Sequence, residues 1–382
     1  MTGTACNANR SDNQRLALAR WLFTPLAGIT FGDWLRLMGQ RRLRVAPRYW
    51  PRNTFTMAMS LLNSPIAAHE ARRYRKRLDA IGVRRPVFVL GHHRSGTTHL
   101  WNLLAQDPRF AYPTVLQGVF PHTFLTFEGL AHRWAQRLAP RKRPQDNVSF
   151  GPDAPIEEER AICTTSFRSM QMARHFPADR ERFKPYLTLA DADATAREEW
   201  RRALDRFARK LLFRHGDQRT LLFKAPDHTG KIALILSLYP DARFIHIHRH
   251  PYDVFRSTRK MERDTIPLYA YQRPHWEDLD EFILWRYRAM YDAYFTDSQD
   301  LGNDQLAELS FSELEADPVG QLERVYAQLG LPDFEQARSV VERYVDSLRG
   351  YQKNRYTDLP ETTRARITEA WQPAFKRWGY TP

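Results

Sequence analysis

Cysteine is scarce in this sequence: Cys6 and Cys163 are the only two among 382 residues. Two thiols exclude a disulfide scaffold and a four-cysteine zinc site, and they suit a reducing compartment such as the cytoplasm. A chain of this length can bury a large core without such supports, as one large or two smaller domains. The sequence therefore indicates a globular cytoplasmic protein that folds on its hydrophobic core.

Long apolar runs are also missing. The longest, at 55–68, is interrupted by Asn63, Ser64 and Pro65 and falls short of the roughly 20 residues that a membrane-spanning helix needs. The first residues of the chain are polar and lack the apolar stretch of a secretory signal. We therefore predict neither a transmembrane segment nor a signal peptide.

Acidic residues are outnumbered by basic ones. The chain has 44 Asp and Glu against 58 Lys and Arg, a formal net charge of +14. This excess favours an acidic ligand or surface, and nucleic acid, an anionic membrane and a multiply phosphorylated small molecule all meet that description. Net charge does not rank the three, so the motifs must.

The first segment, 1–85, is predicted to be helical and to pack on the rest of the chain. Its apolar positions recur at helical spacing, and it carries basic clusters at 41–44 and 72–77. Solvated helix faces explain these features. Peripheral contact of the amphipathic stretch near Trp21 to Trp34 with a membrane surface is the alternative.

Three short runs, 86–90, 220–224 and 243–248, have apolar side chains on both faces, as buried parallel strands do. A fourth strand is predicted at 306–311. Strands of this kind, each followed by a helix, predict an α/β fold with a P-loop-like, mainly parallel sheet flanked by helices. The predicted helices are 98–106, 196–213, 228–238, 252–261 and 319–329.

The α/β domain is predicted to span 86–350. A long helical insertion, at about 112–215, separates its first two strands, and prolines mark the loop of that insertion. The remaining segment, 351–382, is predicted to be a helical tail.

An anion-binding loop follows the first strand. Gly91 to Thr98 has the spacing of a P-loop between a strand and a helix, where backbone N–H groups surround a phosphate. Thr97 stands where a P-loop kinase has its lysine, and Arg94 supplies a cation inside the loop instead. The loop is therefore predicted to bind phosphate without phosphoryl transfer from magnesium–ATP, and a nucleotide-dependent kinase is the alternative.

A second anion-binding segment follows the third strand. Arg249 lies at the strand end, Pro251 suits a first helical turn, and Ser257 follows about two turns later. Arg249 and Ser257 can therefore share one phosphate. Two phosphate sites at the carboxyl ends of neighbouring strands indicate one ligand with two separated phosphates.

Together these segments resemble the phosphate-binding motifs of sulfotransferases that use 3′-phosphoadenosine 5′-phosphosulfate (PAPS). The family's 5′-phosphosulfate loop, a basic residue followed by S-G-T-T, is similar to 94–98, and its 3′-phosphate motif, R-x-P-x-D-V-x-x-S, is similar to 249–257. A third family stretch is similar to 311–330. The arginine form of the loop and the long insertion are closest to the bacterial and the carbohydrate- or tyrosyl-type branches.

The resemblance implies transfer of the sulfuryl group of PAPS to a hydroxyl, with adenosine 3′,5′-bisphosphate as the other product. It implies that Phe311 lies near the adenine. His99 stands where the cytosolic branch stacks a tryptophan on that ring, and Trp101 is the alternative. The implied donor-binding residues are Arg94, Ser95, Gly96, Thr97, Thr98, His99, Arg249, Ser257 and Phe311.

Sulfuryl transfer needs a positive field at the leaving phosphate and a base for the acceptor's proton. We expect Arg94 and Lys224 to supply that field, so that no metal is required. His228 is the favoured base, because an imidazole accepts protons near pH 7 and the family's K-x-H pair is most nearly matched at Lys224 and His228. Glu157, first in an acidic run, is the rival base, while helix capping and the helix dipole are the structural alternatives.

Three alternating histidines, His246, His248 and His250, offer a metal site as the best chemistry outside the family. The family resemblance already accounts for that segment, so no metal is predicted.

The acceptor is a small molecule, a lipid or a carbohydrate. Aromatic residues in the insertion favour an apolar pocket, and hence a hydrophobic alcohol or lipid, over the others. The non-enzymatic alternative is a basic protein that binds nucleic acid or a membrane, although no nucleic acid is expected. The aromatic residues concerned are Phe120, Phe124, Phe127 and Trp134.

Overall fold

The structure is a computed structural model that describes residues 24–40, 43–129, 151–349 and 357–382. Within these ranges the chain forms one parallel sheet. Its strands are β1 (Val87–Leu90), β2 (Phe110–Ala111), β3 (Thr220–Lys224), β4 (Arg243–His248) and β5 (Leu306–Ser310). They lie in the order β2-β3-β1-β4-β5. This confirms the predicted α/β class.

The central strand β1 has a neighbour on each side. Val89 lies opposite Lys224 of β3 and Ile245 of β4, and both pairings are parallel. The carboxyl ends of these strands therefore open on the same edge of the sheet. Both predicted phosphate segments begin at that edge, and Lys224 lies there as the last residue of β3.

Helices cover both faces of the sheet. Up to the third strand they are α1 (Phe31–Leu35), α2 (Trp50–Asp79), α3 (Thr97–Leu104), α4 (Val115–Val119), α5 (Glu159–Ser166), α6 (Met172–His175) and α7 (Ala194–His215). After it come α8 (Ile232–Leu236), α9 (Pro251–Tyr269), α10 (Leu279–Asp297), α11 (Phe311–Ala316), α12 (Pro318–Leu329), α13 (Glu335–Ser347), α14 (Glu361–Ala370) and α15 (Gln372–Trp378). Short 3₁₀ turns lie at Pro25–Gly28, Pro47–Tyr49, Pro177–Tyr186 and Pro226–Gly230, and a π turn at Arg36–Gln40.

Alternate side chains of β1 enter different cores. Phe88 and Leu90 pack on one face with the N-terminal layer, α7, α10 and the last two helices. Val87 and Val89 pack on the other face with α3, α12 and α13. The N-terminal and C-terminal segments thus share a core with the sheet.

The sequence predicted the strands more accurately than the turns around them. The predicted bounds of β3 and β4 match, and the helix predicted at 252–261 extends to Tyr269 despite Pro267. The helix predicted at 228–238 is wrong in form, because a 3₁₀ turn and the short α8 replace it. The two-residue strand β2 was not predicted, since two residues carry no periodicity.

The N-terminal stretch also differs from the expected amphipathic helix. Residues 21–23 lie outside the described residues, and Pro25–Gly28 forms a 3₁₀ turn whose Leu26 and Ala27 are buried. Leu26 and Ala27 therefore belong to the hydrophobic core. Of the insertion's aromatic residues, Phe124 packs in the core against Phe207, and Trp134 lies outside the described residues. In the ranges that the structure describes, we find no helix with both the length and the hydropathy to cross a bilayer.

Candidate active site

The loop between β1 and α3 depends on unusual backbone conformations. Gly91 and Gly96 have φ of 136° and 106°, which side chains with a Cβ rarely adopt. A Cβ on Gly96 would overlap the ring of Phe311, and one on Gly91 would overlap the Ile247 carbonyl. Arg94 also adopts a positive φ, of 71°. A non-glycine residue held in this conformation is typical of a functional loop.

The second predicted phosphate segment lies directly against this loop. Arg94 Nε donates a hydrogen bond to Ser257 Oγ (2.8 Å), which joins the loop after β1 to helix α9. The Arg249 guanidinium lies over the Phe311 ring, 4.6 Å from its centroid. Because Phe311 also covers Gly96, five of the predicted donor-binding residues, Arg94, Gly96, Arg249, Ser257 and Phe311, lie together.

Lys224 and Glu157 form the third side of the site. Lys224 Nζ lies 2.7 Å from Glu157 Oε1 and 3.4 Å from Thr98 Oγ1, at the start of α3. Burial alone would raise the pKa of Glu157, but the nearby positive charges, Lys224 first and Arg160 with it, together outweigh burial and hold that pKa well below the ordinary carboxyl value. The Glu157 side chain keeps 15% of its surface exposed, and the lowered pKa makes it an ionised carboxylate.

His228 lies behind this site and not in it. Its side chain is fully buried, with Nδ1 3.0 Å from Glu158 Oε1 and Nε2 3.3 Å from Glu159 Oε2. Burial favours the neutral ring, but the two carboxylates outweigh it and raise the pKa of His228 to about 9. An imidazolium enclosed in this way neither meets a substrate nor accepts a proton at neutral pH. His228 as the base therefore stays a prediction from the sequence, and this geometry favours Glu157 over it.

The buried cluster of Glu158, Glu159 and His228 instead holds the carboxyl end of β3, where Lys224 lies. Glu158 Oε2 accepts a hydrogen bond from the backbone N–H of Lys224 (3.0 Å), while its other oxygen faces His228. The acidic run after Pro155 thus divides by role: its first member faces the site, and the next two face the buried histidine.

The chain is similar to known proteins along almost its whole length. The sequence profile of the Sulfotransferase family matches residues 86–336, which hold all five strands and both phosphate segments. The chain belongs to the sulfotransferase family. It is 30% identical over 374 residues to the omega-hydroxy-beta-dihydromenaquinone-9 sulfotransferase Stf3 of Mycobacterium bovis, covering 98% of this chain and 95% of that protein. The corresponding Stf3 of Mycobacterium tuberculosis matches equally well.

Solved structures agree on the fold of this sulfotransferase. STF9 from Mycobacterium avium has a TM-score of 0.65 at 22% identity, over 91% of this chain and 95% of that one. STF1 from Mycobacterium tuberculosis H37Rv has a TM-score of 0.63 at 16% identity, over 92% and 94%. With the family established, sulfuryl transfer replaces phosphoryl transfer and nucleic-acid binding as the interpretation of the anion-binding loop.

The sulfotransferase supports its loop with a buried charge network that the sequence did not reveal. Arg286 Nη2 donates to Asp227 Oδ1 (2.6 Å), its Nη1 donates to Glu262 (3.2 Å), and its guanidinium also contacts the His93 ring of the loop. Arg174 completes the network with two hydrogen bonds to Glu262 (2.7 and 2.9 Å). Burial, with Arg286 nearby, lowers the pKa of His93 to about 4, so this ring is neutral.

The remaining predicted residues divide between loop structure and pocket wall. Ser95 is buried and donates its hydroxyl to the His92 carbonyl (2.8 Å), and Thr97 is buried too. Trp101 is buried beneath Lys224, 5.1 Å from Nζ to the ring centroid, so it is not available to stack on an adenine. His99, which is partly exposed, stays a candidate beside Phe311.

The alternating histidines contact the C-terminal segment. The Trp378 ring stacks on His248 at 4.7 Å, and Tyr380 Oη lies 2.8 Å from His248 Nδ1. His250 Nε2 lies 3.1 Å from the Thr381 carbonyl oxygen. The tail thereby holds the residues on either side of Arg249.

Proposed function

We propose that this sulfotransferase transfers the sulfuryl group of PAPS to the hydroxyl of a lipid, with Glu157 as the base. The observation that carries the proposal is the direct contact between the two phosphate segments at Arg94 and Ser257. That contact supports a single donor with phosphates at both ends, since one side chain reaches both sites.

The residues around that contact fit such a donor. Backbone N–H groups at the start of α3 suit the 5′-phosphosulfate, and Arg249 with Ser257 suits the 3′-phosphate. Phe311 gives an aromatic face that Gly96 can approach because it has no side chain. His99 and Phe311 would enclose the adenine. PAPS supplies an activated sulfuryl group whose departure leaves a phosphate.

Glu157 and Lys224 divide the chemistry. Glu157 accepts the proton of the acceptor hydroxyl as its oxygen forms a bond to sulfur, and the bond from sulfur to the phosphate oxygen breaks. Lys224 and Arg94 stabilise the charge that develops on the leaving phosphate. As Lys224 turns toward that charge, Glu157 loses its ion-pair partner and its basicity rises, which favours proton transfer at the moment it is needed.

The lipid acceptor is supported by the curated relatives. Stf3 is named for a hydroxylated dihydromenaquinone, and the identity of 30% extends over nearly the whole of both chains. We therefore propose a hydroxylated isoprenoid quinol, or a similar hydroxy-lipid, over a carbohydrate.

The test of the donor is calorimetric titration with adenosine 3′,5′-bisphosphate in EDTA, with ADP and ATP as controls. We expect the bisphosphate to bind tightly and the controls weakly, because only the bisphosphate fills both phosphate segments. Preference for ATP, or a requirement for Mg²⁺, would contradict the donor assignment. Sulfation of a hydroxylated menaquinol, followed by mass spectrometry against a sugar acceptor, then tests the lipid assignment.

Replacing Arg249 by alanine is expected to weaken binding of adenosine 3′,5′-bisphosphate by about tenfold to a hundredfold, the value of a charge-assisted hydrogen bond. Arg263→Ala is the control, since Arg263 is an exposed arginine further along α9, the helix that follows Arg249. An equal loss in both variants would mean that general positive charge, and not a directed contact, holds the nucleotide.

A further inference from the structure

Large apolar side chains are unevenly exposed on this protein. Among the described residues, five retain more than a third of their surface, and four of these lie on α1 and α2. Leu62 is 64% exposed and Trp50 60%, while Leu35 and Leu61 are each 50% exposed. We call these four residues the α1–α2 patch. An apolar patch of this kind on a soluble surface is typical of an interaction site.

The surface around the patch is basic. Arg44 and Arg48 are exposed just before Trp50, and exposed basic residues at 72–77 follow the patch along α2. The only acidic residues of α2 are Glu70, which is buried and paired with Lys210, and Asp79 at its last position. The exposed face of α2 therefore combines tryptophan and leucine with arginine and lacks carboxylates until its end.

The opposite, buried face of α2 packs toward the active site. The Arg52 guanidinium, one turn into α2, donates to the carbonyls of Pro267 and Ala270, and Thr56 Oγ1 lies 2.7 Å from Tyr271 Oη. In the same segment, Tyr269 Oη accepts a hydrogen bond from Arg160 Nη2 (3.2 Å). Arg160 lies close enough to Glu157 to lower its pKa. The start of α2 thus packs on the segment that borders Glu157.

We infer that the α1–α2 patch binds the surface of an anionic lipid bilayer and so brings the acceptor side of the active site to the membrane. Tryptophan and leucine enter the interface between headgroups and acyl chains, and the flanking arginines attract anionic headgroups. Charge favours a bilayer over a second copy of the chain, because two arginine-rich faces repel each other. The inference goes beyond the proposed function, and binding to vesicles requires neither donor nor acceptor.

The test is co-sedimentation of the full chain with phosphatidylcholine vesicles, with and without phosphatidylglycerol. We expect binding that depends on phosphatidylglycerol and weakens with salt. Arg44→Glu with Arg48→Glu should lower vesicle affinity about tenfold or more. Trp50→Ser with Leu62→Ser should lower it comparably by removing the inserted side chains.

The matched control is Arg343→Glu on α13 with Arg349→Glu just after that helix, which makes the same change of charge at exposed positions on the opposite face of the sheet. Equal loss in the control, or vesicle binding unchanged in both patch variants, would overturn the inference. So would sedimentation-velocity data in which the wild type dimerises and Trp50→Ser with Leu62→Ser is monomeric, since the patch would then bind a second copy. Unchanged binding of adenosine 3′,5′-bisphosphate verifies that each variant is folded.

Discussion

Glu157→Gln is expected to lower kcat by about 100- to 10,000-fold, the usual contribution of a general base. Glutamine keeps the size of the side chain but cannot accept the acceptor's proton. Binding of adenosine 3′,5′-bisphosphate should be nearly unchanged, because Glu157 faces Lys224 and the acceptor side and not the phosphate segments. The measurement is a turnover assay with calorimetry on the same preparation.

A second glutamate that is paired with a basic side chain provides the control for this experiment. Glu199 also pairs with a basic side chain, Arg168, at 2.6 Å, but it lies on α7 away from the site, so Glu199→Gln should retain turnover. The pH profile adds a second readout. Since the pKa of Glu157 is held below the ordinary carboxyl value, the wild-type rate should stay level across about pH 5.5–7.5, whereas an imidazole base would lose activity below about pH 6.5. A loss of that kind, or a fully active Glu157→Gln variant, would refute the assignment.

His228→Ala is expected to destabilise the fold by about 3–5 kcal/mol, because it removes the buried cation between Glu158 and Glu159 and leaves Glu159 only Lys231, whose Nζ lies 4.0 Å from it. Urea unfolding monitored by circular dichroism measures this loss. His228→Ala combined with Glu159→Gln should recover part of the stability, since one of the two buried charges is then removed. No recovery would mean that packing of the ring, and not its charge, stabilises the fold.

Stability should also depend on pH through His228. Its pKa is raised from 6.5 to about 9 in the folded state. The stabilisation is therefore complete below the unfolded value, near pH 6.5, and is lost as pH rises through about 9. A rise of this size corresponds to roughly 3 kcal/mol at about 1.4 kcal/mol per pKa unit. His228→Ala should abolish this decline, whereas His175→Ala should keep it, because burial lowers the pKa of His175 to about 3 and its ring is neutral throughout.

The sheet and the phosphate segments could be predicted from the sequence because each depends on neighbouring residues. A buried parallel strand is a local apolar run, so β3 and β4 were predicted at their observed bounds. The anion-binding loop is likewise encoded by glycine spacing beside Arg94. Its contact with Ser257 was implied only indirectly, by two strands ending at the same edge of the sheet.

The supporting charges could not be predicted, since their partners are far apart in the chain. Glu262 pairs with Arg174 and Arg286, which come from different helices, and no local pattern connects them. His228 presented the same difficulty. A histidine shortly after a strand end has the position of a base, and only the fold shows that two glutamates some 70 residues earlier enclose it.

The buried cluster of Glu158, Glu159 and His228 also bears on how this protein evolves. A single replacement of His228 removes the cation that two buried glutamates share, and a single replacement of either glutamate removes one of the carboxylates that keep the ring protonated. Any variant in which only one of these three residues is replaced is therefore expected to be less stable than the starting protein. The three positions are expected to change together or not at all among descendants of this chain, while the neighbouring Glu157 is under a separate constraint, that of its proposed role as the base.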